Sequence, residues 1–242
     1  IPNPNPNPNP NPNPNPNPNP NPSPNPSPSP SPNPNPNPSP RPDSSQERFI
    51  PTELGEAKAL KELELPRDPQ EAASVLQETH ILASLDHPFI VRYYDSFVEL
   101  RRLVLVMEYA ENGSLHTVLQ RHQKLGRPLG EGVLWRYAIQ LLVGLHAIHR
   151  RRVVHRDIKL DNLVWADQKE TRLVLVDFGY AATVNEQHNF AGSPHYAAPE
   201  VHRANDDGTP DFLAAGADVW SCGVCLFAML ATQLPFGGEE ET

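Results

Sequence analysis

The 242-residue sequence predicts an α+β fold in two lobes, a small strand-rich lobe carrying one helix and a larger lobe that is mainly helical. Three observations predict it. Leucines alternate with charged residues from about Leu54 to Leu65, the period of a half-exposed strand, and strand-like runs return at Ile90–Phe97 and Leu103–Glu108. Between them Pro69–Leu85 reads as one helix, with Val75, Leu82 and Leu85 among its apolar positions and Glu78 within it. After the turn signal Glu111-Asn112-Gly113 the period changes: Leu134, Ala138, Leu141, Leu145 and Ile148 recur at 4-3-4-3 spacing and line one helix face.

The first 42 positions contribute to neither lobe. Proline occupies every even position from Pro2 to Pro42, with Asn or Ser between nearly all of them. Each residue before a proline is pushed towards extended geometry, so residues 1–42 are expected to form a disordered, semi-rigid spacer without a core. Strict alternation gives prolines only even separations, which excludes PxxP ligand spacing throughout the repeat. Ser23, Ser27, Ser29, Ser31 and Ser39 each precede a proline and read either as targets of an upstream proline-directed kinase or as part of an unselected repeat expansion. The folded part is then 43–242, with 43–110 as the small lobe and its exit and 111–242 as the large lobe.

The net charge is −9, and Arg41 is the only charge in the repeat, so 19 of the 20 basic residues and all 29 acidic ones lie beyond it. Basic residues form only short clusters such as Arg150–Arg152, so no nucleic-acid partner is expected. Cys222 and Cys225 spell CxxC inside DVWSCGVCLFAML, a run apolar on almost every face. That pattern predicts a fully buried helix in preference to a redox pair or metal site, and no second cysteine pair exists to complete a zinc site. The run is too short to span a bilayer and no signal peptide is visible, so no membrane partner and a cytoplasmic setting are expected.

The chemistry lies in His155-Arg156-Asp157-Ile158-Lys159-Leu160-Asp161-Asn162 and, 15 residues after Asn162, in Asp177-Phe178-Gly179. Short strands are expected around them, at Val153–His155, Leu163–Trp165 and Arg172–Phe178. One Asp to receive a hydroxyl proton, with an Asn and a second Asp to hold magnesium, is the minimum set for moving a phosphoryl group from ATP. The chain resembles a protein kinase of the serine/threonine type, and the motifs follow in order from Lys61 to Phe236. The resemblance implies a protein-kinase-like two-lobed fold, ATP and Mg2+ as cofactors, and a protein Ser/Thr hydroxyl as acceptor. By resemblance Asp157 is the catalytic base, Lys159 neutralises charge on the transferring phosphoryl, and Asn162 and Asp177 bind the metal. Ala59-Leu60-Lys61 is similar to the strand whose Lys contacts the α- and β-phosphates, and Glu78 to its helix partner. Leu105–Ala110 resembles the strand entering the hinge: Met107 would be the gatekeeper, and the backbone of Glu108 and Ala110 would bond the adenine edge. Leu163 joins the nucleotide-binding set. Ser193, in Gly192–Glu200, looks like a substrate-site hydroxyl, and Asp218 like the Asp that braces the catalytic loop. His155 and Phe178 read as packing residues. GSPHYAAPEV, DVWSCGV and LPFGG are most similar to the calcium/calmodulin-dependent and AMP-activated-kinase-like group.

Two departures shape the expectations. The first glycine is Gly55, and residues 43–60 are too few for two strands and a glycine-rich phosphate loop ahead of Lys61. The later helices of the large lobe are also expected to be absent, leaving Glu200 without its usual Arg. The expectation is therefore a partial catalytic domain, truncated at both ends, with a pseudokinase or scaffold module as the alternative function. Asn189 stands where the related group carries a phosphorylatable Thr, so activity is expected to be independent of phosphorylation there.

Overall fold

The computed structural model describes residues 46–51, 57–110, 112–184, 192–207 and 214–236. The repeat, Gly55 and Asn189 lie outside them, and with them the expectations about the spacer, the phosphate loop and residue 189. The described residues fall within one compact unit, Pro40–Thr242.

The small lobe is a four-stranded antiparallel sheet in the order β1-β2-β4-β3: β1 Gln46–Pro51, β2 Ala57–Glu64, β3 Tyr93–Glu99 and β4 Arg102–Glu108. The sequence suggested one strand from Leu54, whereas β1 is a separate strand paired antiparallel to β2, with Phe49 opposite Ala59. β3 begins later than the predicted Ile90, because Ile90 makes an isolated parallel bridge to Leu175 of the large lobe. α1 spans Pro69–Ser84, one residue short of expectation. Its start is written locally: Pro69 sits in the first turn, and Asp68 accepts from the backbone N–H groups of Gln70 and Glu71 at 2.9 and 3.0 Å.

The large lobe opens with α2 Leu115–Leu125, stopped by Gly126 in the left-handed region at φ 63°. α3 spans Glu131–Arg150 and buries the predicted Ala138, Leu141, Leu145 and Ile148. Short antiparallel pairs follow: β5 Val153–Val154 with β8 Ala182–Thr183, and β6 Leu163–Trp165 with β7 Leu173–Leu175. β7 is shorter than the expected Arg172–Phe178, because the chain leaves the ladder to place Asp177. α4 Pro199–Asp207 and α5 Ala214–Ala231 complete the described elements.

The expectation that the cysteine-bearing helix is buried all round is corrected here. Cys222, Val224, Cys225, Ala228 and Met229 are buried, but Val219 and Leu230 are each 52 % exposed. α5 packs on α3, β5 and the 3-10 turn Pro194–Tyr196, and Phe236 stacks on its Trp220 with ring centroids 5.5 Å apart. Both thiols are free, and burial pushes their pKa values up, which disfavours the thiolate that redox or metal chemistry needs.

Candidate active site

Two clusters of polar side chains meet where the sheet faces the β6–β7 hairpin. The first is centred on Lys61. In β2, Lys61 is opposite Leu105, and Ala59 is opposite Met107, so the strand carrying the cation lies beside the strand that leads to the hinge. Lys61 Nζ is 2.8 Å from Glu78 Oε1 and 2.8 Å from Asp177 Oδ1. Burial works against the ammonium, yet the charges and hydrogen bonds of Glu78 and Asp177 together outweigh it and raise the Lys61 pKa above the ordinary lysine range. Asp177 shows the reciprocal balance. Burial, the largest single cause, pushes its carboxyl up, but the Lys61 ammonium and its hydrogen bond, His155 and the Gly179 amide hold it below the usual carboxylate range.

The second cluster is centred on Asp157, which is buried. Its Oδ2 accepts from Asn162 Nδ2 at 3.0 Å and lies 2.8 Å from Lys159 Nζ. Its Oδ1 accepts from Ser193 Oγ at 3.0 Å, and Lys159 Nζ donates to the same Ser193 Oγ at 3.0 Å. A base, a cation and a hydroxyl are thus held together by side chains from two distant segments. Gly192 allows the approach: at φ +108° it lies so close to the catalytic loop that an added Cβ would sit 2.3 Å from the Arg156 carbonyl oxygen.

The backbone joins the clusters. Val176 N–H donates to the Asn162 carbonyl at 3.0 Å, which continues the β6–β7 ladder and brings Asn162 alongside the chain entering Asp177. Arg156 at φ 69° and Asp177 at φ 58° both occupy the left-handed region, and both flank the site. Such conformations persist where the surroundings over-determine them. For Arg156 the surroundings are Asp218, whose carboxylate accepts from the backbone N–H groups of His155 and Arg156 at 2.9 and 2.8 Å and lies 2.8 Å from His149 Nε2. His155 and Phe178 pack edge to face with ring centroids 4.8 Å apart.

The remaining predicted residues fall around these clusters. Met107 and Leu163 are buried, with Met107 opposite Tyr93 as well as Ala59. Glu108 and Ala110 lie at and just beyond the end of β4. The Glu108 N–H is committed to the Arg92 carbonyl at 2.8 Å, which leaves its carbonyl as the one backbone atom of that residue that could serve a ligand. Sequence reasoning missed the side chain of Glu108, which is engaged by Arg172. No local pattern in the sequence links it to Arg172, 64 residues further along the chain.

Comparison with known proteins gives the family. Residues 47–242 match the model of the protein kinase domain. The chain belongs to the protein kinase family. It is 37% identical over 182 residues to a probable serine/threonine-protein kinase of Dictyostelium discoideum, covering 74% of this chain and 20% of that one. It is 35% identical over 176 residues to the mitosis inducer protein kinase cdr1 of Schizosaccharomyces pombe, covering 71% and 28%. To the serine/threonine-protein kinase GIN4 of Saccharomyces cerevisiae it is 40% identical over 167 residues, covering 68% and 14%. The kinase chain described here thus spans less than a third of the length of each of these relatives. Its two-lobed α+β fold is that of the family.

Among the described residues no group of three or more His, Cys, Asp or Glu could hold a metal, and the kinase donor set is a different one. With Nδ2 given to Asp157, Asn162 presents its carbonyl oxygen, and with Oδ1 on Lys61, Asp177 presents Oδ2. Two hard oxygen donors from protein suit magnesium, which binds through one or two such ligands, water and substrate phosphates. The residues fit the group.

Proposed function

We propose that this chain transfers the γ-phosphate of ATP to Ser/Thr hydroxyls of protein substrates. The observation that carries the proposal is that Asp157 already accepts a hydroxyl proton donor, Ser193 Oγ, under the charge of Lys159. An acceptor hydroxyl presented to Asp157 would meet the same base and cation. Asp157 takes the proton as the hydroxyl oxygen bonds to the γ-phosphorus, and the bond from that phosphorus to the bridging β-phosphate oxygen breaks to release ADP. Lys159 offsets the charge on the transferring group, and Lys61, aimed by Glu78, meets the α- and β-phosphates. Asn162 and Asp177 would hold magnesium, which when bound neutralises charge on the β- and γ-phosphate oxygens. Met107, Leu163 and the backbone of Glu108 and Ala110 would enclose the adenine, and Ser193 would sit against the substrate.

The Lys two residues after Asp157 favours Ser/Thr acceptors. The GSPHYAAPEV, DVWSCGV and LPFGG segments favour the calcium/calmodulin-dependent and AMP-activated-kinase-like group. The boundary proposed between repeat and catalytic region is 42/43, and serines 23, 27, 29, 31 and 39 are either acceptors for an upstream proline-directed kinase or part of an unselected repeat expansion. No helix among the described residues is long and apolar enough to cross a membrane. A cytoplasmic setting agrees with two free, buried cysteines.

The test is transfer from γ-labelled ATP to a Ser/Thr peptide library by the full chain. Label in peptide that disappears in Asp157→Asn supports the proposal. Peptide labelling equal in wild type and Asp157→Asn, or none in either while the chain still captures a partner protein, would favour the pseudokinase or scaffold alternative.

A further inference from the structure

Arg172 holds Glu108 across the boundary between the lobes. Its Nη2 bonds Glu108 Oε1, and its Nη1 lies 3.4 Å from Glu108 Oε2 and 3.1 Å from the Pro88 carbonyl. One guanidinium therefore ties together three segments: the approach to β7, the end of β4, and the connection between α1 and β3. The planar fork suits this task, since it delivers parallel N–H groups to both oxygens of a carboxylate. Glu108 is the more enclosed partner, its side chain 16% exposed against 36% for Arg172, so the pair is screened less than one on open surface.

The aim of Arg172 is itself built. Asp167 Oδ1 accepts from the backbone N–H groups of Lys169 and Thr171 at 3.0 and 3.1 Å, and Asp167 Oδ2 accepts from the Arg172 N–H at 2.6 Å. That turn fixes the backbone from which the guanidinium departs. On the other side, the Leu175 N–H donates to the Phe89 carbonyl and the Val91 N–H to the Leu175 carbonyl, each at 3.0 Å, so the connection carrying Pro88 is stitched to β7 independently of the ion pair. Arg172 thus works from a rigid base. Glu108 stands at the end of β4, where pairing to β2 and β3 runs out.

We infer that Arg172, acting through the Glu108 carboxylate, is a positioning residue for nucleotide binding: it sets the exit of β4 and with it the backbone of Glu108 and Ala110. The inference rests on the kinase function proposed above. The adenine lies remote from the reacting phosphorus, so the contact it gains is the same in ground state and transition state. Losing such a contact raises KM and spares kcat.

Arg172→Ala should raise the KM for ATP about tenfold, the worth of one mispositioned backbone hydrogen bond to the adenine edge, with kcat within about twofold and the KM for acceptor peptide unchanged. Arg172→Lys should fall between, because a point charge cannot serve both carboxylate oxygens. The exchanged pair Glu108→Arg with Arg172→Glu should bring the KM for ATP back towards wild type, and a thermal melt of each variant separates misfolding from mispositioning. A folded Arg172→Ala with wild-type KM for ATP, or one in which kcat alone changes in either direction, overturns the inference and leaves the kinase function intact. A wild-type chain that neither binds magnesium-ATP nor labels peptide overturns both.

Discussion

Lys61 and Glu78, from a strand and a helix 17 residues apart, meet at 2.8 Å with both side chains buried. A buried cation is retained only where its charge is answered, and here Asp177 supplies a second answering carboxylate at the same distance. The pair also ties β2 to α1 in the small lobe. Lys61→Met would leave the Glu78 carboxyl buried without its cation, which should cost about 3 kcal/mol and lower the melting temperature. Lys61→Met with Glu78→Gln should recover much of that stability without recovering phosphoryl transfer. Melting curves and transfer assays on the single and double variants separate the two effects.

Asp218 is the brace of the catalytic loop. It is 1% exposed and serves two backbone donors, from His155 and Arg156, besides His149. Asp218→Ala should cost about 3 kcal/mol, because those donors would be left buried without an acceptor. The loss should appear in urea unfolding, with kcat falling further than stability alone explains, since Arg156 would be released from its left-handed backbone conformation. Asp218→Asn retains one oxygen and should lose less.

Gly192 allows Ser193 to reach Asp157. At φ +108°, with an added Cβ 2.3 Å from the Arg156 carbonyl oxygen, Gly192→Ala is both strained and sterically blocked. The expected outcome is a loss of at least about tenfold in kcat/KM for peptide, equivalent to about 1.4 kcal/mol. Magnesium-ATP affinity should be near that of wild type, because Lys61, Asn162 and Asp177 are not displaced. Isothermal titration beside peptide kinetics reads both quantities.

Asp177 predicts an acid limb. Its folded pKa is depressed, so the stability it contributes is present above its unfolded value, about 3.9, and is lost as pH falls through the lower folded value. Lys61, whose folded pKa is raised, contributes below the unfolded lysine value and loses its contribution only as pH rises through the folded one, so it leaves this window undisturbed. The melting-temperature gap between wild type and Asp177→Asn should therefore narrow below about pH 4 and be flat from pH 6 to 8. Asn tolerates the φ of 58° at this position, which keeps the comparison on charge.

The catalytic loop was legible in the sequence because its residue types have few other uses in that order, and α1 because Asp68 and Pro69 mark its start. β1 was missed: its residues Gln46–Pro51 show no clear alternation, and its strand character comes from pairing with β2. The outer face of α5 was misjudged for a related reason. An all-apolar run reports what a helix is able to bury, while exposure of Val219 and Leu230 depends on which elements pack there. The Glu108–Arg172 contact was invisible because two charged residues 64 apart in sequence carry no local pattern linking them. The side chains of Asp157, Lys159 and Ser193 were named from motifs, but their meeting at one hydroxyl required the turn at Gly192.

The most direct test is calorimetric titration of ATP into the full chain, with and without magnesium, in wild type, Lys61→Met and Asp177→Ala. Magnesium-dependent binding by wild type, weakened at least about tenfold in both variants, is the predicted result. Equal heats in all three proteins, or binding indifferent to magnesium, would contradict a nucleotide site built on Lys61 and Asp177.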